Sequence, residues 1–357
     1  MTASEQSYAF GGFRRNLSWQ LDRAYYFFAH WLMVVMLSPP LRVWHRILSM
    51  SRLPAHSKNA QKNLITRYRH LLHQDVENVA QGYYQRDLLD FPFRDYTQLL
   101  PALVGDFPRV FLRKLLNRYQ ELPQNENLAG YPHYYTRNFH WQTDGWLSDR
   151  SARLYDAQVE FLFTGAADVM RRMAIPPLVQ SLQQQTQPIV VDIGCGTGRF
   201  LRQVGQSLPH AQLLGVDLSP AYVRHAQTLA SLKATIYCEN AEALSLADES
   251  VDAATSVFLF HELPKAVRRQ VAAEIWRVLK PGGQLIICDS AQLVESSDLS
   301  EFLGDFARLY HEPYYQNYLQ DDLEKVLADS QFTVLSTRAA YLSKIVVAQK
   351  PAHILKS

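Results

Sequence analysis

Pro188-Ile189-Val190-Val191-Asp192-Ile193-Gly194-Cys195-Gly196-Thr197-Gly198-Arg199 is the stretch that decides the fold. Its apolar run reads as a strand buried on both faces, as in a parallel sheet. The strand ends in Asp192, and glycines follow on alternate positions at 194, 196 and 198. That pattern is a strand–turn–helix in which backbone lies close against a ligand, because a Cβ at those glycines would hold the ligand off. The spacing is G-x-G-x-G. A dinucleotide fingerprint needs G-x-G-x-x-G, and position 199 is Arg.

Further strands follow in order. Gln212 to Asp217 is a second apolar strand ending in an acid, and Ser219-Pro220 opens a helix with a capping hydroxyl and a proline in the first turn. The Asp217 carboxylate can accept hydrogen bonds from both hydroxyls of a ribose. Ala234 to Cys238 is a third strand, followed by Glu239-Asn240-Ala241-Glu242-Ala243-Leu244, and a fourth spans 252–257. Phe258-Leu259-Phe260-His261-Glu262-Leu263-Pro264 sits at the carboxyl end of that strand, where open α/β sheets bind ligands. Val267, Val271 and Ile275 mark the apolar face of a helix at about 264–279. Arg277-Val278-Leu279-Lys280-Pro281-Gly282-Gly283 turns the chain into a fifth strand at 285–289. A helical region at 297–329 precedes two strands near 331–337 and 344–349, spaced closely enough to pair antiparallel.

The glycine loop resembles motif I of the class I S-adenosylmethionine (SAM)-dependent methyltransferases. Glu239–Leu244 resembles that family's G-D-A-E-x-L, with Glu239 in place of Gly and Asn240 in place of the acid. An amide oxygen still accepts the adenine amino group, more weakly than a carboxylate. Arg277–Leu285 resembles the family's R-V-L-K-P-G-G turn. The resemblance covers residues ~188–350 in order and spacing, and broadly matches the ubiquinone/menaquinone-type (type 11) branch. It implies an α/β, Rossmann-like seven-stranded class I methyltransferase sheet with SAM as cofactor. Asp192, Gly194, Cys195, Gly196, Gly198, Asp217, Leu218, Asn240 and Ala241 are the binding residues it implies. The activity implied is methyl transfer to a small, partly apolar acceptor, quinone-like or otherwise aromatic, at carbon or oxygen. Alternatives are methylation of a lipid or amino-containing molecule, or a catalytically silent SAM-binding protein that docks a membrane or partner.

The chain has 357 residues, so the sheet-forming part leaves ~180 residues to explain. Three regions result: a mainly helical region at 1–130, an aromatic-rich segment with linking helices at 131–187, and the SAM-binding region at 188–350. Cys195, Cys238 and Cys288 fall in or beside strands and share no metal-ligand spacing. They read as small buried hydrophobes, with neither disulfide nor metal site implied. No signal-peptide pattern opens the chain, and a cytoplasmic location, peripheral at a membrane, is the expectation.

The net charge of +2 hides an asymmetry. Residues 1–74 hold ten Lys/Arg against Glu5 and Asp22, and between Pro39 and Gln74 there are seven basic residues and no acid. An anionic membrane surface, an acidic partner or nucleic acid would each suit this stretch, nucleic acid least, since no RNA-module stacking motif is present. Residues 1–16 read as a mobile tail. Ala24 to Leu37 is densely apolar, yet too short to span a bilayer, which takes about 20 residues. It reads as a core helix or as an interfacial helix with Arg42, Arg46 and Arg52 beside it. Helices fill ~56–122 with turns at Pro92, Pro101 and Pro108, and Asn125 to Gly130 is a loop.

The segment Tyr131 to Ser148 mixes aromatics and polar groups with neither helical nor strand period. It includes N-F-H-x-Q-x-D-G-W-x-S, followed by S-A-x-x-Y, which resembles a little-characterised bacterial and plastid-type methyltransferase group. Such a stretch suits a lid or pocket wall. By resemblance it caps the methyl donor, with Tyr310–Tyr315 as its counterpart across the pocket. A base is needed only where the acceptor must lose a proton. His261, His140 and His311 are the candidate bases because imidazole titrates near ~6.5. Asp144 and Glu262 are the carboxylates that could orient one or act directly. His261 ranks first, and His261, His140 and Asp144 form the expected catalytic set.

Overall fold

The computed structural model describes residues 19–38, 57–122, 128, 130–140, 142–229 and 231–352. The tail at 1–16, Arg42, Arg46, Arg52, Trp141 and most of the loop at 125–130 lie outside the described residues. Strands β1 (Ile189–Ile193), β2 (Gln212–Asp217), β3 (Ala234–Cys238), β4 (Val251–Val257), β5 (Leu279–Ser290), β6 (Thr333–Ala340) and β7 (Ser343–Gln349) form one sheet in the order β3-β2-β1-β4-β5-β7-β6. β1 pairs in parallel with β2 and with β4, whereas β7 runs antiparallel to both β5 and β6. This is the seven-stranded class I order that the resemblance implied. The order reverses at β1, and the crevice between the carboxyl ends of β1 and β4 is where such sheets take ligands.

Helices precede and cover the sheet: α1 (19–38), α2 (Lys58–Ala80), α3 (Phe93–Leu115), α4 (Asp149–Leu162), α5 (Ala167–Arg172), α6 (Ile175–Leu182), α7 (Arg199–Ser207), α8 (Pro220–Gln227) and α9 (Lys265–Val278). Successive strand residues face opposite sides. Val190, Ala253 and Ile286 pack on one face, against α6, α7 and the Leu71, Leu72 and Val76 side of α2. Val191, Ala254 and Leu285 pack on the other, against Val267, Val271 and Ile275 of α9. The amino-terminal helices therefore share the core of the sheet's first face.

Two expectations give way here. Pro92 does precede a helix, but Pro101 and Pro108 lie inside α3, which runs unbroken for 23 residues. Both prolines are solvent-exposed, so the carbonyls they leave without a helical partner face water, which lowers the usual cost of an interior proline. Cys195 and Cys288 are buried as expected, but Cys238 is exposed. It is the last residue of β3, an edge strand with no neighbour to cover its outer side.

A buried polar network ties α1 and α2 to α5. Asp75 of α2 accepts hydrogen bonds from Arg172 Nε (3.0 Å) and Nη2 (2.5 Å), from Tyr26 Oη (2.7 Å) and from Tyr84 Oη (2.5 Å). Tyr26 belongs to α1 and Arg172 to α5, so a single carboxylate joins three helices.

Candidate active site

The glycine loop turns as the sequence requires, with φ of +72° at Gly194, +55° at Gly196 and +76° at Gly198. The reason differs along the loop. A Cβ on Gly198 would meet Leu232 Cδ2 at 2.8 Å and Ala226 Cβ at 3.1 Å, and one on Gly194 would crowd Leu259. Only Gly196 faces open space. Gly194 and Gly198 thus serve turn geometry and packing, and Gly196 leaves room for a ligand, which narrows the expectation for all three.

Asp217 closes the end of β2. Its Oδ2 accepts from Gly196 N (2.8 Å) and its Oδ1 from Ser219 N (2.8 Å), which fixes the carboxylate beside the loop. Burial pushes its pKa up to about 6 against the pull of those two amides. Each oxygen keeps a lone pair for a ribose hydroxyl. Asp192, pushed up to about 7 by burial, accepts from Thr255 Oγ1 at 2.7 Å. The Asn240 amide is engaged in its own turn, accepting from Glu242 N and donating to Glu242 Oε1. Asp192, Gly194, Cys195, Gly196, Asp217, Leu218, Asn240 and Ala241 line one cavity, and Gly198 stands behind it as the N-cap of α7.

Two residues that sequence reasoning missed complete this cavity. Asp156 of α4 takes a hydrogen bond from Thr197 Oγ1 (2.9 Å), while its Oδ1 is buried without a hydrogen-bond partner. Arg171 of α5 lies 3.9 Å from that oxygen and over the Phe258 ring, 5.6 Å from its centroid. An orphaned carboxylate oxygen beside a guanidinium suits the ammonium and carboxylate of an amino-acid tail, and Asp217 suits the ribose. The residues fit SAM.

A second cavity of about 380 Å³ adjoins the first and shares Tyr155, Phe258 and Glu262 with it. Its walls are mainly Leu, Val, Phe and Tyr, and His140 and His261 stand at the end that meets the cofactor cavity. His261 Nδ1 donates to Asp289 Oδ1 at 2.7 Å. Asp289, the penultimate residue of β5, is itself fixed by the Phe260 and Ser290 amides, each at 2.7 Å. Burial opposes the charged imidazole, but the charge and hydrogen bond of Asp289 overcome it and raise His261 to about 9. His140 sits between Glu262 (Nε2 to Oε1, 3.3 Å) and Glu312 (Nδ1 to Oε1, 2.6 Å). The Glu312 contact lies outside hydrogen-bond alignment, so it acts as charge against charge. Here too burial works against the cation, and the two carboxylates push His140 up to about 10.

His140 (φ +52°) and Phe258 (φ +56°) both hold left-handed backbone, a strain of about 1–3 kcal/mol each for residues with a side chain. The bonds His140 N to His311 O (3.1 Å) and Phe258 N to Cys288 O (2.9 Å) hold them there. Asp144, grouped with the histidines in the expected catalytic set, lines neither cavity; its backbone oxygen accepts from Leu147 N. His311 stacks on Tyr119 at 4.9 Å and lines neither cavity. The orienting carboxylates are Asp289, Glu262 and Glu312. Asp289 had a readable signal, an acid closing a strand as Asp192 and Asp217 do. Glu312 had none, since its pairing spans 172 positions.

Sheet order, glycine loop and strand-end acids together define the class: a class I SAM-dependent methyltransferase fold. A protein-family model described as a methyltransferase domain matches residues 190–283. The chain is 32% identical over 168 residues to malonyl-[acyl-carrier protein] O-methyltransferase of Alcanivorax borkumensis, covering 46% of this chain and 52% of that protein. It is 33% identical over 150 residues to a ubiquinone/menaquinone biosynthesis C-methyltransferase of Syntrophotalea carbinolica, covering 41% and 60%. The chain thus spans little more than half the length of these relatives. A SAM-dependent methyltransferase structure from Methanosarcina mazei aligns with 50% of this chain and 98% of its own at 23% identity and a TM-score of 0.41. The sheet-bearing half of the chain thus has the class I methyltransferase fold, and residues 190–283 within it match a methyltransferase domain.

Asp217→Ala is expected to weaken SAM binding by roughly tenfold to a hundredfold, the loss of hydrogen bonds to a charged group. Calorimetry with SAM and with S-adenosylhomocysteine measures it.

Proposed function

We propose that the protein transfers a methyl group from SAM to a partly apolar acceptor, quinone-like or otherwise aromatic, at oxygen or carbon. The observation that carries this reading is the wall of Tyr155, Phe258 and Glu262 common to both cavities, with two carboxylate-paired histidines beside it. The apolar lining suits an aromatic body, and the Syntrophotalea relative, named as a C-methyltransferase of ubiquinone/menaquinone biosynthesis, supports the same class.

Bound in the first cavity, SAM supplies an electrophilic methyl whose leaving thioether needs no acid. The chain's own residues hold and orient. The apolar walls exclude water and align the acceptor for in-line approach, the main source of rate in such a displacement. His261, with Nδ1 committed to Asp289, has only Nε2 left to meet an acceptor hydroxyl or acidic C–H. As an imidazolium it stabilises the acceptor's anion; as neutral imidazole it takes the proton. A sulfonium held beside these residues would lower the pKa of both histidines and favour the neutral form.

The test is methyl transfer from labelled SAM to a panel of hydroquinones and phenols, followed as product and S-adenosylhomocysteine together. Turnover confined to water-soluble amines would overturn the aromatic assignment. The dyad has its own signature. Asp289 raises His261, so in Asp289→Asn the imidazole loses its proton at lower pH. The ascending limb of the kcat–pH profile is expected to move down by roughly one unit or more. An unmoved limb would remove His261 from the proton path.

A further inference from the structure

The mouth of the second cavity is built from the only parts of the described amino-terminal region that show apolar side chains to solvent in rows. On α1, Tyr26, Ala29, His30 and Met33 are buried at helical spacing. The opposite side carries Leu21, Tyr25, Phe28, Trp31, Val35 and Met36, each between 47% and 62% exposed. No Asp, Glu, Lys or Arg occurs from Ala24 to Leu37. On α3, Leu100, Val104, Leu112 and Leu115 are exposed likewise. A helix in contact with water alone carries polar residues on its outer face, and this one carries aromatics.

These two surfaces run into the acceptor cavity. Leu37 from α1 and Leu100, Leu103, Val104 and Val110 from α3 form its outer wall. Leu100 and Val104 are both exposed and cavity-lining, so the apolar surface and the apolar interior are continuous. Charge identifies the occupant. The chain that follows α1 has seven basic residues and no acid between Pro39 and Gln74, and Lys58, Lys62 and Arg69 of that stretch are exposed on α2. Aromatic and aliphatic side chains in a chain segment rich in exposed cations match an interface of acyl chains beneath anionic headgroups. No described helix is long and apolar enough to cross a membrane, so the contact is with one leaflet.

We propose that α1 and α3 rest on an anionic bilayer and that the acceptor is an amphiphile dissolved in it, entering the second cavity between these helices without passing through water. The choice of acceptor rests on the methyltransferase reading; the docking does not. An apolar aromatic ring leaves the leaflet for the Leu and Phe walls, and its polar end reaches His261 and His140.

The test is flotation of the full chain with phosphatidylcholine vesicles and with vesicles carrying phosphatidylglycerol, beside the double variant Phe28→Glu, Trp31→Glu. The wild type is expected to float with the anionic vesicles and to be released by salt. The variant is expected to lose roughly tenfold or more of that binding while calorimetry shows unchanged SAM affinity. No flotation of SAM-binding wild type, or equal flotation of the variant, overturns the proposal. Sedimentation that shows a wild-type dimer, a monomeric variant and no vesicle binding assigns the surface to a second copy and also overturns it. If docking holds, turnover of a long-chain quinol in anionic vesicles falls in the variant, while that of a short-chain, water-soluble quinol does not. Docking by the wild type without turnover of either quinol would count against the methyltransferase reading instead.

Discussion

Replacing His261 by alanine is expected to lower kcat by roughly 10²- to 10⁴-fold, the range for losing a positioned proton-transfer group, while SAM affinity stays unchanged. The two readouts separate because His261 lines the second cavity and not the first. The fold should tolerate the change. Asp289 is fully buried, but without the imidazole it still accepts from the Phe260 and Ser290 amides, so its charge is not stranded. His140→Ala differs in kind. It leaves Glu262 and Glu312 facing one another without the cation between them, and a loss of activity there mixes chemistry with repulsion. His261 is therefore the cleaner test. A kcat within a few-fold of wild type, measured at saturating SAM, would leave acceptor positioning as the whole of the catalysis.

The largest stability effect is expected at Asp75→Ala. Removing this carboxylate leaves the Arg172 guanidinium buried without its principal partner, strips Tyr26 of its acceptor and leaves Tyr84 only the Asp75 backbone oxygen at 3.3 Å. Breaking a buried ion pair from one side costs about 3–5 kcal/mol. For a chain of this size that is a fall in Tm of roughly 5 °C, and chemical denaturation would report the free energy directly. The burden falls on the packing of α1 and α2 against the sheet, so protease sensitivity should appear first in the amino-terminal helices. A cost below about 1 kcal/mol would show that apolar packing alone fixes those helices.

The sheet was legible because its signals are local. Apolar runs ending in Asp192 and Asp217, glycines at 194, 196 and 198, and the Lys280-Pro281-Gly282-Gly283 turn each specify structure within a dozen residues. Eight of the nine expected cofactor residues line the first cavity for the same reason. The antiparallel end pair followed from the short gap between β6 and β7. What could not be read depends on pairs distant in sequence. Asp75 meets Arg172 across 97 positions and His140 meets Glu262 across 122, and no periodicity encodes either. Asp156 and Arg171 sit on helices upstream of the glycine loop, where their polar heads look like ordinary surface charge. Pro101 and Pro108 pointed to turns, yet α3 runs through both with the prolines on its exposed side. Asp144 and His140 share one motif, yet the backbone turns between them, both in left-handed conformation, and only the histidine reaches a cavity.

The wall of Tyr155, Phe258 and Glu262 has a thermodynamic consequence. Residues that touch two ligands at once make the two binding equilibria interdependent, and that interdependence is reciprocal. Whatever factor the acceptor contributes to donor affinity, the donor contributes to acceptor affinity. The demethylated donor carries no positive charge at sulfur, so the factor differs before and after turnover. Phe258, held in a backbone conformation that few side chains adopt, has little freedom to relax away from either ligand. On the proposed reading, substrate and product complexes are told apart through one rigid partition, formed by the same three side chains that bring the two ligands together.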